Sequence, residues 1–472
     1  MTEATDWTEV KLKAQQMMRF ECTSVTIIKL VEGSAELFGT ELSTKGALNL
    51  QQGFLGTILT FNGCTLKYTS NTIIQFTVGF NEDQELPNVY LNFHAALEKI
   101  RNNANNDIRG PRLMICGNES VGKTTLCRIL SNYAARKYRK VILIDANVGM
   151  NDICLPGSIG ALIVTKPYEV VEGWDIFEDP LIYSFGHLSP VENLKLFSLQ
   201  LNNLAELVNI RSENDPEVFA GGCIINMSGV SKSDDSGESQ KKGIEAIRAA
   251  ISAFEVNLLI IIEDGFLENL LRKDLPDYVS VIRIPKSSGA HSRTPEQWQK
   301  ERTSNIASYF HGRGLHKLQP HKLTLLAENY KIYKIDLKKS TLALLPNDDT
   351  MEDEWCKLVE VPFSRSLSNR VLAVSEALDI DEIPGAACYG FVVVLSVAPD
   401  NSSITVLSPG NDEPPNNILV MTDIQYRNSG LKLAEEIETK AENKYRMHII
   451  DGKIEIIDER WKIWNEAQRF TS

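Results

Sequence analysis

The chain has 472 residues, a formal net charge of −13 at pH 7 and a sequence pI of about 5.2. Its composition, 43% hydrophobic and 24% charged, is ordinary for a globular protein, and the length predicts about two to four domains. The acidic balance disfavours a protein that coats nucleic acid by bulk charge, so we expect no DNA partner, although it allows a local basic groove. No run of about 18 apolar residues occurs, so we expect no membrane span and no membrane partner.

The eight cysteines are scattered and form no C-x-x-C pair, and several of them, such as Cys116 and Cys223, lie in apolar runs. This usage is typical of reduced, buried thiols in a cytosolic or nuclear protein and disfavours a structural zinc site. The histidines show no metal-like spacing, and the first residues lack the pattern of a secretory signal.

The N-terminal part of the chain alternates short apolar stretches with turn residues such as Glu32-Gly33-Ser34 and Asn62-Gly63. This pattern predicts a small all-β sandwich, which we place at residues 1–97. A helix is predicted over residues 90–103, and residues 102–109 are interpreted as a short polar linker.

A phosphate-binding loop is predicted at residues 117–124. These residues read G-x-x-x-x-G-K-[ST], with an apolar strand before them at residues 112–116 and an amphipathic helix after them. Lys123 would reach the β- and γ-phosphates of a nucleoside triphosphate, and the Thr124 hydroxyl would bind Mg²⁺. Backbone N–H groups and the helix N-terminus would bind the phosphate oxygens. The predicted binding residues are Gly117, Ser120, Val121, Gly122, Lys123, Thr124 and Thr125.

Strand and helix patterns alternate across residues 98–312, which predicts an α/β P-loop NTPase domain with a kinase-like parallel sheet. The predicted strands are residues 112–116, 141–144, 182–185, 222–226, 258–262 and 279–284. The predicted helices are residues 124–137, 194–209, 244–254 and 268–273. The polar run at residues 231–243 is predicted to be a mobile surface loop.

Short β-like stretches return at residues 313–429 and predict a smaller C-terminal β-rich domain. Residues 430–472 look like a separate tail, with a charged helix over residues 431–445 and a hairpin over residues 448–457. Asp458 would cap a last helix that carries Trp461, Trp464 and Phe470, an aromatic stripe of the kind that usually packs against protein.

Two strand ends offer an acid for the metal. The strand over residues 141–144 ends in Asp145, with Asn147 two residues further on, and the strand over residues 258–262 ends in Glu263-Asp264. For each acid the alternative is a carboxylate that merely ends a strand in solvent.

A flexible segment is predicted at residues 287–293. Arg293 and Arg302 are the candidate cations that close over a transferring phosphate, with a solvated surface as the alternative.

The chain resembles the Clp-type polynucleotide 5′-hydroxyl kinase family, which includes a subunit of the pre-mRNA 3′-end cleavage and polyadenylation complex. The resemblance covers residues 19–429 and rests on short motifs in order. These motifs include AELFGTEL at residues 35–42, RGPR at 109–112, LPG at 155–157, PLIYSFG at 180–186, SAFEV at 252–256, PKSSG at 285–289 and IASYFHG at 306–312. The resemblance implies ATP with Mg²⁺ as cofactors, three domains, and the nucleus as location.

The resemblance also shows departures at catalytic positions. The family motif L-D-V-G-Q reads Ala146-Asn147-Val148-Gly149-Met150 here, so the acid has become an amide that cannot accept a proton from a hydroxyl group. If the strand continued through Asn147, Asp145 would face the same side, about 7 Å further back. That offset is large against the positioning that catalysis needs.

Departures also affect RNA and base recognition. The tryptophan of the family motif I-N-T-C-G-W, which stacks on an RNA base, is Val230, and the middle of three lid arginines is Trp298. The glutamate that recognises the nucleotide base corresponds to Met17, and a basic contact corresponds to Leu55. RNA binding is therefore expected to be weak.

Our leading hypothesis is an ATP-binding scaffold subunit of the 3′-end processing machinery, with a partner protein docked on the P-loop domain. The second hypothesis is an active RNA 5′-hydroxyl kinase that works through Lys123, Asp145 or Glu263, Arg293 and Arg302, so the sequence leaves enzymatic activity open. A nucleotide hydrolase or switch is disfavoured because no glutamine stands in a recognisable position to orient a hydrolytic water.

Overall fold

The computed structural model describes residues 6–105, 107–174, 180–230, 237–313, 316–336 and 356–426. Its strands form two N-terminal sheets, a seven-stranded central sheet, a seven-stranded C-terminal sheet and a two-stranded ribbon. Across these residues no helix is long and apolar enough to cross a membrane. The helices and the hairpin predicted for residues 430–472 lie outside the described residues.

The N-terminal part is the predicted β-sandwich. One sheet has the order β1-β8-β3-β6, the other the order β5-β4-β7-β2-β9, and an apolar core between them includes Met18, Ile28 and Leu66. The strands are β1 (Trp7–Leu12), β2 (Gln16–Cys22), β3 (Thr26–Gly33), β4 (Glu36–Leu37), β5 (Thr40–Glu41), β6 (Leu48–Leu50), β7 (Leu55–Thr60), β8 (Cys64–Thr69) and β9 (Ile73–Gly79). Helix α1 (Leu86–Asn103) follows and begins four residues before the predicted start, with Pro87 in its first turn.

The central sheet has the order β13-β12-β11-β14-β10-β15-β16. Its strands are β10 (Arg112–Gly117), β11 (Val141–Ala146), β12 (Ser158–Val164), β13 (Leu181–Ser184), β14 (Cys223–Met227), β15 (Leu258–Ile262) and β16 (Ser280–Ile284). The fully parallel sheet that we predicted is wrong, because β12, which we did not predict, pairs antiparallel with β11 and with β13. The eleven residues between β11 and β12 contain no helix, and a link that short cannot make a parallel crossover.

The helices of this domain are α2 (Lys123–Arg136), α3 (Leu194–Glu213), α4 (Pro216–Gly221), α5 (Glu238–Ala253), α6 (Gly265–Arg272) and α7 (Pro295–His311). The surface loop predicted at residues 231–243 is wrong from residue 238 onward, because α5 begins there. Its first turns are polar yet stable as a helix, with Lys242 paired to Glu238 at 2.7 Å across one turn. Residues 231–236 lie outside the described residues.

The C-terminal part is one mostly antiparallel sheet with the order β19-β24-β23-β22-β25-β20-β21. Its strands are β19 (His321–Leu326), β20 (Lys331–Asp336), β21 (Lys357–Val361), β22 (Arg370–Ser375), β23 (Cys388–Val397), β24 (Ser403–Ser408) and β25 (Ile418–Gln425), and the ribbon is β17 (Gly312–Arg313) with β18 (His316–Lys317). On the central domain, the side-chain amide of Asn203 donates to the Gly385 carbonyl at 2.8 Å, so α3 and the C-terminal part are joined.

The sandwich is attached to α2, the helix that follows the phosphate loop. Gly39 has a φ of +80°, and a Cβ there would lie 3.0 Å from the backbone of Ile129. The side-chain amide of Asn132 donates to the Phe38 carbonyl at 2.7 Å, and Arg136 pairs with buried Glu36 at 2.8 Å. The segment that carries the motif at residues 35–42 is therefore the surface on which α2 packs.

Candidate functional site

The phosphate loop connects the carboxyl end of β10 to the start of α2, at the centre of the sheet. Gly117 and Gly122 have φ values of +143° and +98°, and Ser120 has +56°, so the turn depends on backbone conformations that favour glycine. A Cβ at Gly117 would lie 2.9 Å from the Ile262 carbonyl oxygen. This local geometry is that of a loop whose N–H groups converge on an anion at a helix N-terminus.

Lys123 is the first residue of α2, and only 6% of it is exposed. Its Nζ donates to the carbonyl oxygens of Asn118, at 2.7 Å, and Gly117, at 3.4 Å. Burial lowers the pKa of this ammonium group to about 8. The lysine is therefore folded over the loop, where its charge is available to a phosphate group.

A cavity of about 790 Å³ opens over the loop and is shared by the sandwich, the loop and α7. Of the predicted loop residues, it is lined by Ser120, Val121, Gly122, Lys123, Thr124 and Thr125. Its six strongly basic side chains are Arg19, Lys123, Arg128, Arg293, Arg302 and Arg313. Five carboxylates also line it, so the cavity carries a small cationic excess in a chain whose net charge is −13. This is the local basic groove that the overall acidity allowed.

Asp145 does not reach the cavity. Strand β11 ends at Ala146, so the strand continuation that would have placed Asp145 and Asn147 on one side does not occur. The carboxylate of Asp145 is 1% exposed and accepts from the backbone N–H of Asn147, at 2.9 Å, and of Asp152, at 2.6 Å. Burial raises its pKa to about 7, with the nearby Asp152 charge adding to the effect.

Asn226, in β14, connects Asp145 to the loop, a link that the sequence reasoning missed. Its amide nitrogen lies 3.0 Å from Oδ1 of Asp145 and 3.1 Å from Oγ1 of Thr124, the predicted Mg²⁺ ligand. Asp145 therefore acts through Asn226 on the position of the threonine hydroxyl. The signal was present, since Asn226 is the asparagine of the I-N-T-C-G-W motif.

Asn147, the residue at the lost acid position, does line the cavity, together with Met150. The cavity also holds an acid that we did not single out, Asp152. Its carboxylate is bound to Arg128, with Nε of that arginine at 2.7 Å from Oδ2, and accepts from the Trp174 indole at 3.0 Å. Although burial opposes it, the ion pair with Arg128 lowers the pKa of this carboxyl. An acid held in this way is poorly placed to accept a substrate proton.

The second candidate acid lies elsewhere. Glu263 follows β15 with a φ of +65° and is exposed, and among the described residues that line the cavity it does not appear. Asp264 accepts from the N–H groups of Phe266 and Leu267 and so caps α6. Both side chains fit the alternative of carboxylates that end a strand.

The two predicted cations both reach the cavity, but not from one flexible segment. Arg293 lies just before α7, next to its capping residue Thr294, and Arg302 lies within this helix. Nε of Arg293 is 2.7 Å from Glu301, and Nε of Arg302 donates to the Gly149 carbonyl at 3.0 Å. Both guanidinium groups lie over the indole of Trp298, 4.8 Å and 5.9 Å from its ring centre.

The sandwich supplies the opposite wall of the cavity. Met17, at the position of the family's base-recognising glutamate, is buried, and Leu55 is 40% exposed; both line the cavity. Next to them, Arg19 pairs with Asp83 at 2.9 Å and donates to Ser288 at 2.7 Å. Asp83 in turn accepts from the backbone N–H of Ser288 at 2.7 Å. The sandwich is thereby hydrogen-bonded to the segment that leads into α7.

The segment after β14 packs directly on the phosphate loop. A Cβ at Gly229 would lie 2.6 Å from the Glu119 side chain and 2.9 Å from its backbone, so only glycine fits there without movement. Val230, at the position of the family's stacking tryptophan, is 4% exposed. It offers no planar surface to the cavity.

Three family models match successive parts of the chain. One described as "N-terminal beta-sandwich domain of polyadenylation factor" matches residues 11–104. One described as "mRNA cleavage and polyadenylation factor CLP1 P-loop" matches residues 117–312, and one described as "Pre-mRNA cleavage complex II protein Clp1" matches residues 318–428.

Curated relatives match over most of their length. The polyribonucleotide 5′-hydroxyl-kinase Clp1 of Bos taurus is 34% identical over 424 residues, which cover 89% of this chain and 96% of the relative. The chain belongs to the Clp1 family. A protein CLP1 homolog of Anopheles gambiae is 35% identical over 434 residues, which cover 90% of this chain and 99% of the relative. The predicted family is thus confirmed.

Solved structures share the fold. A structure of the wild-type Clp1p–Pcf11p complex matches with a TM-score of 0.74 at 20% identity and covers 91% of this chain and all of that chain. A second Clp1p–Pcf11p structure matches with a TM-score of 0.73 at the same identity. The N-terminal β-sandwich, the central P-loop domain and the C-terminal β-rich domain are therefore confirmed as architecture, with the central sheet mixed rather than parallel.

Proposed function

We propose that this protein is an ATP-binding subunit of the mRNA 3′-end cleavage and polyadenylation machinery, in which the nucleotide stabilises a scaffold. The observation that carries the proposal is a contrast within one cavity. The phosphate loop keeps its glycines, Lys123 and Thr124 in place, whereas Asn147 stands at the acid position and Asp145 is buried and does not line the cavity. A site with these parts holds a triphosphate but lacks a placed acid for the attacking hydroxyl.

The roles of the binding residues follow from their placement. The loop N–H groups and Lys123 would hold the phosphates, and Thr124, oriented by Asn226, would hold Mg²⁺. Arg293, just before α7, and Arg302, within it, would approach the phosphates from the side of this helix. Bound Mg²⁺ would offset phosphate charge, and the chain's own residues would fix the position of the nucleotide.

Partner and location are part of the same proposal. The solved relatives are complexes of Clp1p with Pcf11p, and the family models name cleavage and polyadenylation factors. We therefore infer a scaffold protein of that machinery as a partner that docks on the P-loop domain, and the nucleus as the location. RNA is a weaker partner of the cavity.

The alternative function is an active polynucleotide 5′-hydroxyl kinase, the activity for which the Bos taurus relative is named. It is favoured by one observation, the retention of Lys123, Arg293 and Arg302 around the cavity. It requires an acid other than Asp145 or Glu263, or an attacking hydroxyl that loses its proton to solvent.

The test begins with ATP·Mg²⁺ and thermal unfolding. A ligand that binds only the folded state at a thousandfold excess over Kd stabilises it by about 4 kcal/mol. We expect ATP·Mg²⁺ to raise the melting temperature of the wild type and to leave that of Lys123→Ala unchanged. Lys140→Ala removes a lysine that pairs with Asp215 and Glu217 outside the cavity and should keep the ATP effect. An unchanged wild-type melting temperature would contradict the structural-ligand role.

The same preparations, given γ-labelled ATP and a 5′-hydroxyl RNA oligonucleotide, decide between the two functions. We expect no label on the RNA with the wild type and a measurable gain with Asn147→Asp, because that change returns a carboxylate to the cavity wall. Label transfer by the wild type that disappears in Lys123→Ala would establish the kinase and refute the scaffold proposal.

A further inference from the structure

Trp298 joins the two arginines at the start of α7 through one aromatic ring. The guanidinium groups of Arg293 and Arg302 lie over its indole, 4.8 Å and 5.9 Å from the ring centre. Arg302 follows Trp298 by about one helical turn, whereas Arg293 lies before the helix, where no helical hydrogen bonds fix its backbone. The ring attracts each cation electrostatically, because the face of an indole is negative. Trp298 is therefore the group that both arginines share.

The other contacts of the two arginines hold them less firmly. Arg293 pairs with Glu301 at 2.7 Å, but both side chains are more than a third exposed, so solvent screens this pair. Arg302 donates from Nε to the Gly149 carbonyl at 3.0 Å, and that acceptor carries no charge. The two guanidinium groups also repel each other. An arginine at position 298 would add a third like charge, whereas the tryptophan attracts both cations.

The contact with Gly149 indicates which end of a bound nucleotide the arginines meet. Gly149 lies two residues after Asn147, the position at which an acid would serve an attack on the terminal phosphate, and both residues line the cavity. Burial lowers the pKa of Arg302, and the charges of Glu119, in the phosphate loop, and of Glu301 act in the opposite direction. The sandwich forms the opposite wall of the cavity. The arginines are therefore placed at the terminal phosphate, away from the base.

We propose that Trp298 is a positioning residue that holds Arg293 and Arg302 together at the terminal phosphate, so that the site selects a nucleoside triphosphate over a diphosphate. This inference rests on the proposed nucleotide site. Arginines that are in place before the ligand arrives lose less conformational freedom when they bind it. A diphosphate lacks the phosphate group that they contact and gains nothing from their placement. Trp298 thereby makes ATP the tightly held form of the nucleotide.

Calorimetric titration of the nucleotide-free full chain with ATP·Mg²⁺ and with ADP·Mg²⁺ measures this selection. Trp298→Ala should weaken ATP binding by about 2- to 30-fold, the range of a cation–π contact, and should change ADP binding by less than about twofold. Trp298→Phe, which keeps an aromatic face, should retain most of the ATP affinity, whereas Trp298→Leu, which keeps only apolar bulk, should not. Trp7→Ala is the matched control, because Trp7 also has a cation over its ring, Lys29 at 5.0 Å, but is not among the described residues that line the cavity.

A double change tests whether Trp298 acts through arginine. In the Arg302→Ala background, Trp298→Ala should cost less ATP affinity than in the wild type, because one of the cations over the ring is gone. Equal costs in the two backgrounds, equal losses for ATP and ADP, or full recovery by Trp298→Leu would each overturn the proposal.

The wild type separates this inference from the proposed function. If it binds ATP, but no more tightly than ADP or than Trp298→Ala does, the inference fails and the nucleotide-stabilised scaffold stands. If it binds neither nucleotide, both fail.

Discussion

At the scale of single residues, Asp145 is a buried acid that does not line the cavity and contacts the phosphate loop through a second side chain. Its two oxygens accept from two backbone N–H groups and from the amide of Asn226, which in turn reaches Thr124. The sequence predicted that this acid lies at a strand end. It could not predict the side chain's direction, because that depends on where β11 stops and the chain turns.

Asp145→Asn should change the pH dependence of stability. The folded-state pKa of Asp145, about 7, lies above the unfolded value of 3.8, so its contribution to stability is full below about pH 4 and is lost as pH rises towards 7. The free energy of unfolding of the wild type should therefore fall between pH 5 and pH 7 more steeply than that of the variant, by up to about 1.4 kcal/mol per pH unit.

Urea denaturation of nucleotide-free protein at the two pH values measures this difference. The variant should also be less stable at both values, by about 1–3 kcal/mol, because one backbone donor loses its acceptor. Parallel pH profiles of wild type and variant would show that the carboxyl is already ionised at pH 5.

At the scale of elements, the contact between the end of β14 and the phosphate loop sets the geometry of the site. Val230 N–H approaches the Gly117 carbonyl, and Gly229 lies against Glu119. The loop is thus supported from beneath by a segment that itself needs glycine. The motif in this segment predicted contact with RNA. Its packing against the phosphate loop could not be predicted, because it depends on the folded structure.

Gly229→Ala should displace the loop, because its Cβ would lie within 3 Å of Glu119 backbone atoms. We expect a loss of about 1–3 kcal/mol in the free energy of unfolding and a smaller ATP-induced rise in melting temperature. Gly410→Ala provides the comparison, since a Cβ there meets no atom within 4 Å. If both variants respond to ATP as the wild type does, the support is not needed for nucleotide binding.

Strand β12 and helix α7 are among the elements that we did not predict, and both were missed for identifiable reasons. Strand β12 is buried along most of its length and so lacks the alternation that reveals a strand. Helix α7 buries only Ile306 and Phe310, so its apolar periodicity is weak. Its start was nevertheless encoded, by a Thr294 cap, Pro295 and Gln297 in a capping box. By contrast, the phosphate loop was predictable because each of its residue types has one physical reason to be there.

At the scale of the whole molecule, the sandwich and the segment before α7 are joined by a buried ion pair. Arg19 and Asp83, both less than a tenth exposed, belong to the sandwich, and both are hydrogen-bonded to Ser288. The sequence could not reveal this link, since Ser288 lies 205 residues from Asp83 and 269 from Arg19, and the three form no recognisable motif.

Asp83→Ala should be strongly destabilising, by about 3–5 kcal/mol, because it leaves the buried guanidinium of Arg19 without its carboxylate counter-charge. Replacing both residues, as Arg19→Met with Asp83→Ala, should recover a large part of that loss. Glu9→Ala breaks an exposed pair with Lys67, 3.5 Å apart, and should cost at most about 1 kcal/mol. Chemical denaturation of the wild type, these three variants and Arg19→Met alone measures these differences, and additive effects of the two core changes would show that the pair is not coupled.

The tie between Asp83 and Ser288 also determines how the protein can be divided for study. A fragment that began at α1 would keep the phosphate loop, yet Ser287 and Ser288 would lose the carboxylate that accepts from them, and α2 would lose the surface around Gly39. Its α7, and with it Arg302, would no longer be anchored from the sandwich side. The smallest piece of this chain that reports faithfully on nucleotide binding therefore begins in the first sheet, about a hundred residues before the motif that binds the phosphates.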